Sequence, residues 1–174
     1  VGQAAIASQL LGPSKYDAAA LPDFAAIAAD DAGWCVTVPA GTVGSVICDS
    51  QVVASNVTGD LGAAAVSGQR VIWASRGPTS GVQGQARDGS AGVAFGTPQD
   101  VYDVAADATH AYWTDRGNKT VWGCGAGGCA QPIALAAGQE ALWGVAVDDG
   151  FVYFVRESGD AGRIAEVVRV PKLR

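Results

Sequence analysis

Several things that catalytic and nucleic-acid-binding chains rely on are scarce here. There is one histidine, His110, and no methionine. Lysine and arginine total 11 against 17 acidic residues, and no stretch gathers them together. A nucleic-acid binder needs a basic patch to displace counterions from phosphates, so that class is excluded. Asp, Gly, Pro or Arg interrupts every apolar run before it reaches the roughly 18 residues of a membrane-crossing helix. The first residues lack the basic and hydrophobic halves of a secretion signal. The chain therefore reads as either cytosolic or mature and trimmed. A zinc site wants four nitrogen or sulfur ligands, and one histidine without a C-x-x-C pair supplies them poorly. There is no G-x-S-x-G elbow, so a Ser-His-Asp triad would have to use His110, which falls in a turn expected to face water.

What is plentiful is glycine, at 24 residues, in a chain that is 49% apolar and only 16% charged, with a net charge of −6. Disordered chains show the opposite balance. Few charges with many Gly, Ala and Val suit strands covered on both faces. Four cysteines allow three connectivities. Cys35 and Cys48 fall on neighbouring strands of one hairpin, and Cys124 and Cys129 bracket a flexible Gly-Ala-Gly-Gly turn. Local pairing is the cheapest solution and implies an oxidising compartment, which favours the mature-chain reading. Free thiols and, less well supported, a metal are the other readings.

The main signal is an internal repeat. Four segments align: Ile27 to Trp34, Ala65 to Trp73, Val104 to Trp113 and Val145 to Phe154. The aromatic anchors Trp34, Trp73, Trp113 and Phe154 are spaced 39, 40 and 41 residues apart. A period of about forty residues is that of a four-stranded propeller blade. Each unit runs from a short apolar strand ending near Asp, through a tight polar turn, into the anchor strand, then into a third and a fourth strand. The expected fold is all-β: a β-propeller of four blades forming one domain over residues 1–174. The chain stops after a third-type strand, Ile164 to Val170, and Gln3 to Ser8 resembles the fourth-type strand Gln51 to Ser55. An N-terminal strand completing the last blade, or membership of a larger propeller, follows as an expectation.

Tyr112-Trp113-Thr114-Asp115 spells the signature of YWTD-type propellers, and the chain resembles that class. It is similar in particular to secreted, Ala/Gly-rich propeller repeats of myxobacteria and related high-GC bacteria. The third repeat fits throughout, from Val104 through Asp115, Thr120-Val121 and Cys124 to Cys129. The fourth fits in part, at Val147-Asp148 and Val152-Tyr153-Phe154. The first and second depart, with Gly33 in place of Tyr and Ser67 in place of Asp. The resemblance implies the fold but not a function, because propellers host binding, signalling and catalysis alike.

The anchors are expected to pack between blades, with Ile72, Tyr112 and Tyr153 facing the opposite way. Asp30, Asp107 and Asp148 are expected to cap turns; a carboxylate ring holding Ca²⁺ is the rival, weakened by Ser67. No other cofactor is implied. Gly123 to Gly128 matches G-x-G-x-x-G, but no helix follows, so a dinucleotide site is not expected. Charged groups gather on the loops of one rim: Arg76, Asp115, Arg116, Arg156 and Glu157, with Lys15 and Tyr16 on the long first loop. Trp143 opens an inner strand near the channel entrance. The candidate contact set is therefore Trp143, Tyr16, Arg76, Arg116 and Arg156. The leading reading is a non-enzymatic extracellular, periplasmic or outer-surface module presenting this rim to a protein or a glycan. A metal-dependent lactonase or esterase is one alternative, and a structural half of a larger ring, completed as a homodimer or a larger assembly, is the other.

Overall fold

The computed structural model describes residues 25–76, 81–96, 100–158 and 164–174. The described residues form four antiparallel sheets that follow one another along the chain. Blade 1 holds β1 (Ala26–Asp30), β2 (Gly33–Ala40), β3 (Val43–Cys48) and β4 (Gln51–Thr58). Blade 2 holds β5 (Asp60–Ser67), β6 (Arg70–Arg76), β7 (Gly81–Ala86) and β8 (Gly92–Ala94). Blade 3 holds β9 (Val101–Ala106), β10 (His110–Asp115), β11 (Thr120–Gly125) and β12 (Ile133–Ala136). Blade 4 holds β13 (Leu142–Val147), β14 (Phe151–Ser158) and β15 (Ile164–Pro171). Within each sheet the strands pair in chain order, and the first strands β1, β5, β9 and β13 lie side by side in succession. This is the expected propeller architecture. Blade 4 has three strands among the described residues, and the expected closing strand Gln3 to Ser8 lies outside them.

The hairpin turns correct the sequence alignment in blade 1. In all four hairpins of first and second strands the closing pair, Asp30 with Gly33, Ser67 with Arg70, Asp107 with His110 and Asp148 with Phe151, encloses two residues, and turn length fixes register. Counted from Asp30, Ser67, Asp107 and Asp148, the sixth position is Val36, Trp73, Trp113 and Phe154. Val36 therefore occupies the anchor position of blade 1, and Trp34 sits two residues earlier, level with Val71, Ala111 and Val152. Cys35, not Gly33, stands where Tyr112 and Tyr153 stand. Matching by aromatic identity slid blade 1 by two residues. A slip of two keeps each side chain on its face, which is why the face assignments survive.

Three apolar seams join the blades. In the first, Trp73 and Val71 pack on Cys35, Val46 and Cys48. In the second, Trp113 and Val104 pack on Ile72, Val82 and Phe95. In the third, Phe154 and Val152 pack on Tyr112 and Val121. Trp73, Trp113 and Phe154 are all at most 3% exposed. Ile72 and Tyr112 point the other way and fill the next seam, as strand alternation requires. Each of these two faces a glycine, Gly84 or Gly123. A Cβ at Gly123 would meet the Tyr112 ring at 3.1 Å, so the large residue needs a bare backbone opposite. Blade 1 fills the same pair of positions with the Cys35–Cys48 disulfide.

The second disulfide, Cys124–Cys129, is also present, so both cysteine pairs are local. Its turn does more than close on itself. Cys129 bridges Phe95 of blade 2 in parallel fashion, donating its N–H to the Ala94 carbonyl at 3.2 Å and accepting from the Gly96 N–H at 2.8 Å. Gly128 makes that approach with φ +91°, and a Cβ there would lie 2.8 Å from the Ala94 oxygen. The clip thus pins the outer edge of the second seam. Two disulfides suit an oxidising compartment. No described helix is long and apolar enough to cross a membrane.

The chain's tail is tied back to blade 3. Lys172 Nζ lies 3.0 Å from Asp107 Oδ2, and the Tyr112 hydroxyl donates to the same oxygen at 3.3 Å. Burial opposes ionisation of Asp107, but the Thr109 N–H, Lys172 and the His110 N–H outweigh it and hold the carboxyl well below the usual carboxylate range. Burial, and then the Asp107 charge, push the Tyr112 hydroxyl above its ordinary value. A raised tyrosine favours the folded state below its unfolded value of about 10 and loses that contribution as pH rises through the folded value. A depressed carboxylate contributes above about pH 4 and loses it on acidification. The thermal midpoint is therefore expected to fall above about pH 10, and Tyr112→Phe to flatten that alkaline limb while leaving the acid limb in place. A pH series of melting curves on both proteins checks this.

Candidate functional site

The two rims of the arc differ in chemistry. On the rim of the two-residue turns, carboxylates cap backbone. Asp30 Oδ1 accepts from the Ala32 N–H, Asp107 Oδ1 from the Thr109 and His110 N–H groups at 2.8 Å each, and Asp148 Oδ1 from the Gly150 and Phe151 N–H groups. This is the turn-capping role expected of them. Among the described residues no group of three or more His, Cys, Asp or Glu side chains is placed to hold a metal. His110 is the first residue of β10, with its side chain 17% exposed and Nδ1 2.9 Å from the Thr109 hydroxyl. It is thus half-buried and not at an open turn tip as expected, because the Asp107 turn draws the start of β10 inward.

The opposite rim carries the stacked residues. Tyr102 and Trp143 stand at one repeat position, five residues before Asp107 and Asp148, at the entry of the inner strands β9 and β13. Arg76 and Arg116 share a second position, three residues after Trp73 and Trp113, at or just beyond the ends of β6 and β10. Neighbouring blades interleave the two positions. The Arg76 guanidinium lies 5.1 Å from the Tyr102 ring, and Arg116 lies 5.4 Å from Tyr102 and 5.1 Å from Trp143. The Tyr102 and Trp143 rings meet edge to face at 5.1 Å and 82°. The result is a ladder of alternating cations and rings across blades 2, 3 and 4. Each such stack contributes about 0.5–1 kcal/mol at an exposed site.

The ladder is held in place from below. Arg76 donates from Nε to the Val101 carbonyl at 3.2 Å and from Nη2 to the Tyr102 carbonyl at 2.9 Å. Thr114 Oγ1 donates to the Trp143 carbonyl at 2.7 Å across the third seam, and Thr37 makes the matching bond to Gly62 across the first. Asp115, the last residue of the Tyr-Trp-Thr-Asp run, is fully buried, not part of the solvated rim as expected. It accepts from the Asp100 N–H, the Asn118 N–H and the Asn118 side-chain amide at 2.7–3.2 Å. It thereby ties together the two loops that carry Arg116 and Tyr102. Asp103 lies beside them. Burial raises its carboxyl above the ordinary value, opposed by the Val145 and Val104 N–H groups and by Arg76.

Of the sequence-derived contact set, the structure brings Trp143, Arg76 and Arg116 together. Arg156 stands apart in blade 4, with Nη2 2.9 Å from Glu166 and Nη1 2.8 Å from Gln139 Oε1. Tyr16, with Lys15, lies outside the described residues. Tyr102 and Asp103 were missed, yet Tyr102 has the same offset from Asp107 that Trp143 has from Asp148, and an alignment carried through the inner strands would have found it. Arg116 is exposed, and among the described residues its guanidinium makes ring contacts but no hydrogen bond or ion pair. Among the described residues its guanidinium donors at this rim are therefore unoccupied.

No protein-family model and no curated protein matches the chain. Solved structures do. A chain of the nidogen/laminin complex superposes with a TM-score of 0.66 at 13% identity, over 79% of this chain and 57% of that one. The computationally designed Ika4 protein gives 0.62 at 12% identity, over 92% of this chain and 97% of that one. The designed Ika8 protein gives 0.59 at 13% identity, over 83% of this chain and 45% of that one. The chain thus spans little more than half of the nidogen/laminin chain it matches. At these identities the likeness establishes the β-propeller fold.

Proposed function

We propose that this propeller is a non-enzymatic interaction module of an oxidising, extracytoplasmic compartment, and that the Arg76–Tyr102–Arg116–Trp143 ladder is its contact surface for a protein partner that presents carboxylates. The observation that carries this is Arg116. Its plane is ordered over two rings while its hydrogen-bonding edge is unoccupied among the described residues. A guanidinium fixed by stacking has lost its rotamer freedom in advance, so it binds a carboxylate edge-on at low entropic cost. The same stacking disfavours a sugar platform. A sugar needs an open ring face, and Tyr102 already has two guanidiniums within 5.4 Å of its centre. The surface is small and cationic on a chain of net charge −6, which suits selective contact and not general anion binding. The nidogen/laminin neighbour, solved as a complex of two proteins, agrees with a protein partner.

A random peptide library selected on the immobilised protein tests the reading. Enrichment of Asp- and Glu-bearing peptides is expected, with Arg116→Ala weakening the selected peptides at least tenfold, about 1.4 kcal/mol or more. Affinity should also fall as salt rises. Selected peptides that bind Arg116→Ala as tightly as the original chain would sink the proposal.

A further inference from the structure

We propose that a second copy of this chain seats against both ends of the four-blade arc, so that two chains close one continuous ring. This stands independently of the ladder. Four blades in a closed ring have four seams, and the described residues form three. β1 packs on β5, β5 on β9 and β9 on β13, while no comparable packing among the described residues brings β13 back to β1.

The two end faces continue the pattern of the internal seams. On blade 1, the cross-strand row Ile27, Val36, Ile47 and Val52 runs through all four strands on the face away from Cys35. Val36 holds the register of Trp73, Trp113 and Phe154, the residues that fill seams toward the preceding blade. On blade 4, Tyr153 holds the register of Ile72 and Tyr112, which fill seams toward the following blade, and it shares its face with Val155 and Val167. Val52 is 61% exposed and Val167 73%, whereas the next residues, Val53 and Val168, turn inward onto the first and third seams. One end thus offers a "preceding" face and the other a "following" face, and these are the two halves of an ordinary seam. A two-fold axis along the channel joins blade 4 of each copy to blade 1 of the other and leaves no free end.

Sedimentation equilibrium on the 174-residue chain tests this. The unaltered chain is expected at twice its 17.5 kDa mass. Because Val52 and Val167 are exposed in the single chain, Val52→Glu and Val167→Glu should each leave the far-ultraviolet circular dichroism unchanged while weakening the pair at least 100-fold, to a single-chain mass at micromolar concentration. A single-chain mass for the unaltered protein overturns the proposal and points instead to closure by residues 1–24 or by further blades of a longer chain. A two-chain mass that survives both substitutions also overturns it, because the contact would then lie elsewhere.

Discussion

Trp113→Ala is expected to lower unfolding stability by about 3–5 kcal/mol, the range for truncating a fully buried aromatic. Trp113 is 0% exposed at the middle seam, where its ring meets Phe95 at 6.2 Å and 71°. Removing it leaves a hole between two blades that are each rigid sheets, so the hole cannot collapse by a local side-chain shift. Trp113→Phe separates packing from hydrogen bonding. The indole N–H of Trp113 is buried without a hydrogen-bond partner among the described residues, so phenylalanine keeps ring contact and removes an unsatisfied donor. Its cost should be under half that of alanine. Urea unfolding of the three proteins measures both differences. Equal losses for Phe and Ala would mean that the N–H, and not the ring, matters at this seam.

Replacing Cys35 and Cys48 together by alanine should cost about 3 kcal/mol, and replacing Cys124 and Cys129 together about 2 kcal/mol, because the closed loops differ in length. The sequence separations are 13 and 5 residues. The first bridge also sits in a seam, 0% and 1% exposed beneath Trp73, so its loss should add a packing defect that the second does not. The two variants are compared by urea midpoints under oxidising conditions. In reductant, which opens both bridges, the unaltered protein should fall below either variant. A larger loss from the Cys124/Cys129 pair would instead give the greater weight to its clip on blade 2.

Much of this was readable from the chain. The period, the two-residue turns, both disulfides and the facing of Ile72 and Tyr112 follow from spacing and strand alternation alone. Blade 1 was misread because Trp34 looks like an anchor, whereas the turn at Asp31-Ala32 dictates that Val36 is. Asp115 was placed among solvated charges because a loop-end carboxylate usually is one, and only the three N–H donors around it show otherwise. The ladder was half visible. Arg76, Arg116 and Trp143 could be named from loop position, but their stacking across blades joins residues 26 to 41 positions apart, and such proximity is not written in local sequence. Arg156 occupies a rim-facing position too, but Glu166 and Gln139 hold it in blade 4.

The three seams are built from one plan but from different parts. Trp73 rests on a disulfide, Trp113 on Phe95 and Phe154 on Tyr112. During folding, four similar hairpin sheets could dock out of order, and chains built of near-identical units are prone to such misassembly. Here a blade that skipped its neighbour would bring Phe154 to the cystine or Trp73 to Tyr112, pairings with the wrong volume in a close-packed gap. The divergence among the copies thus acts as an address system, giving each blade a single neighbour that fits and steering the nascent chain away from kinetic traps that perfect repetition would create.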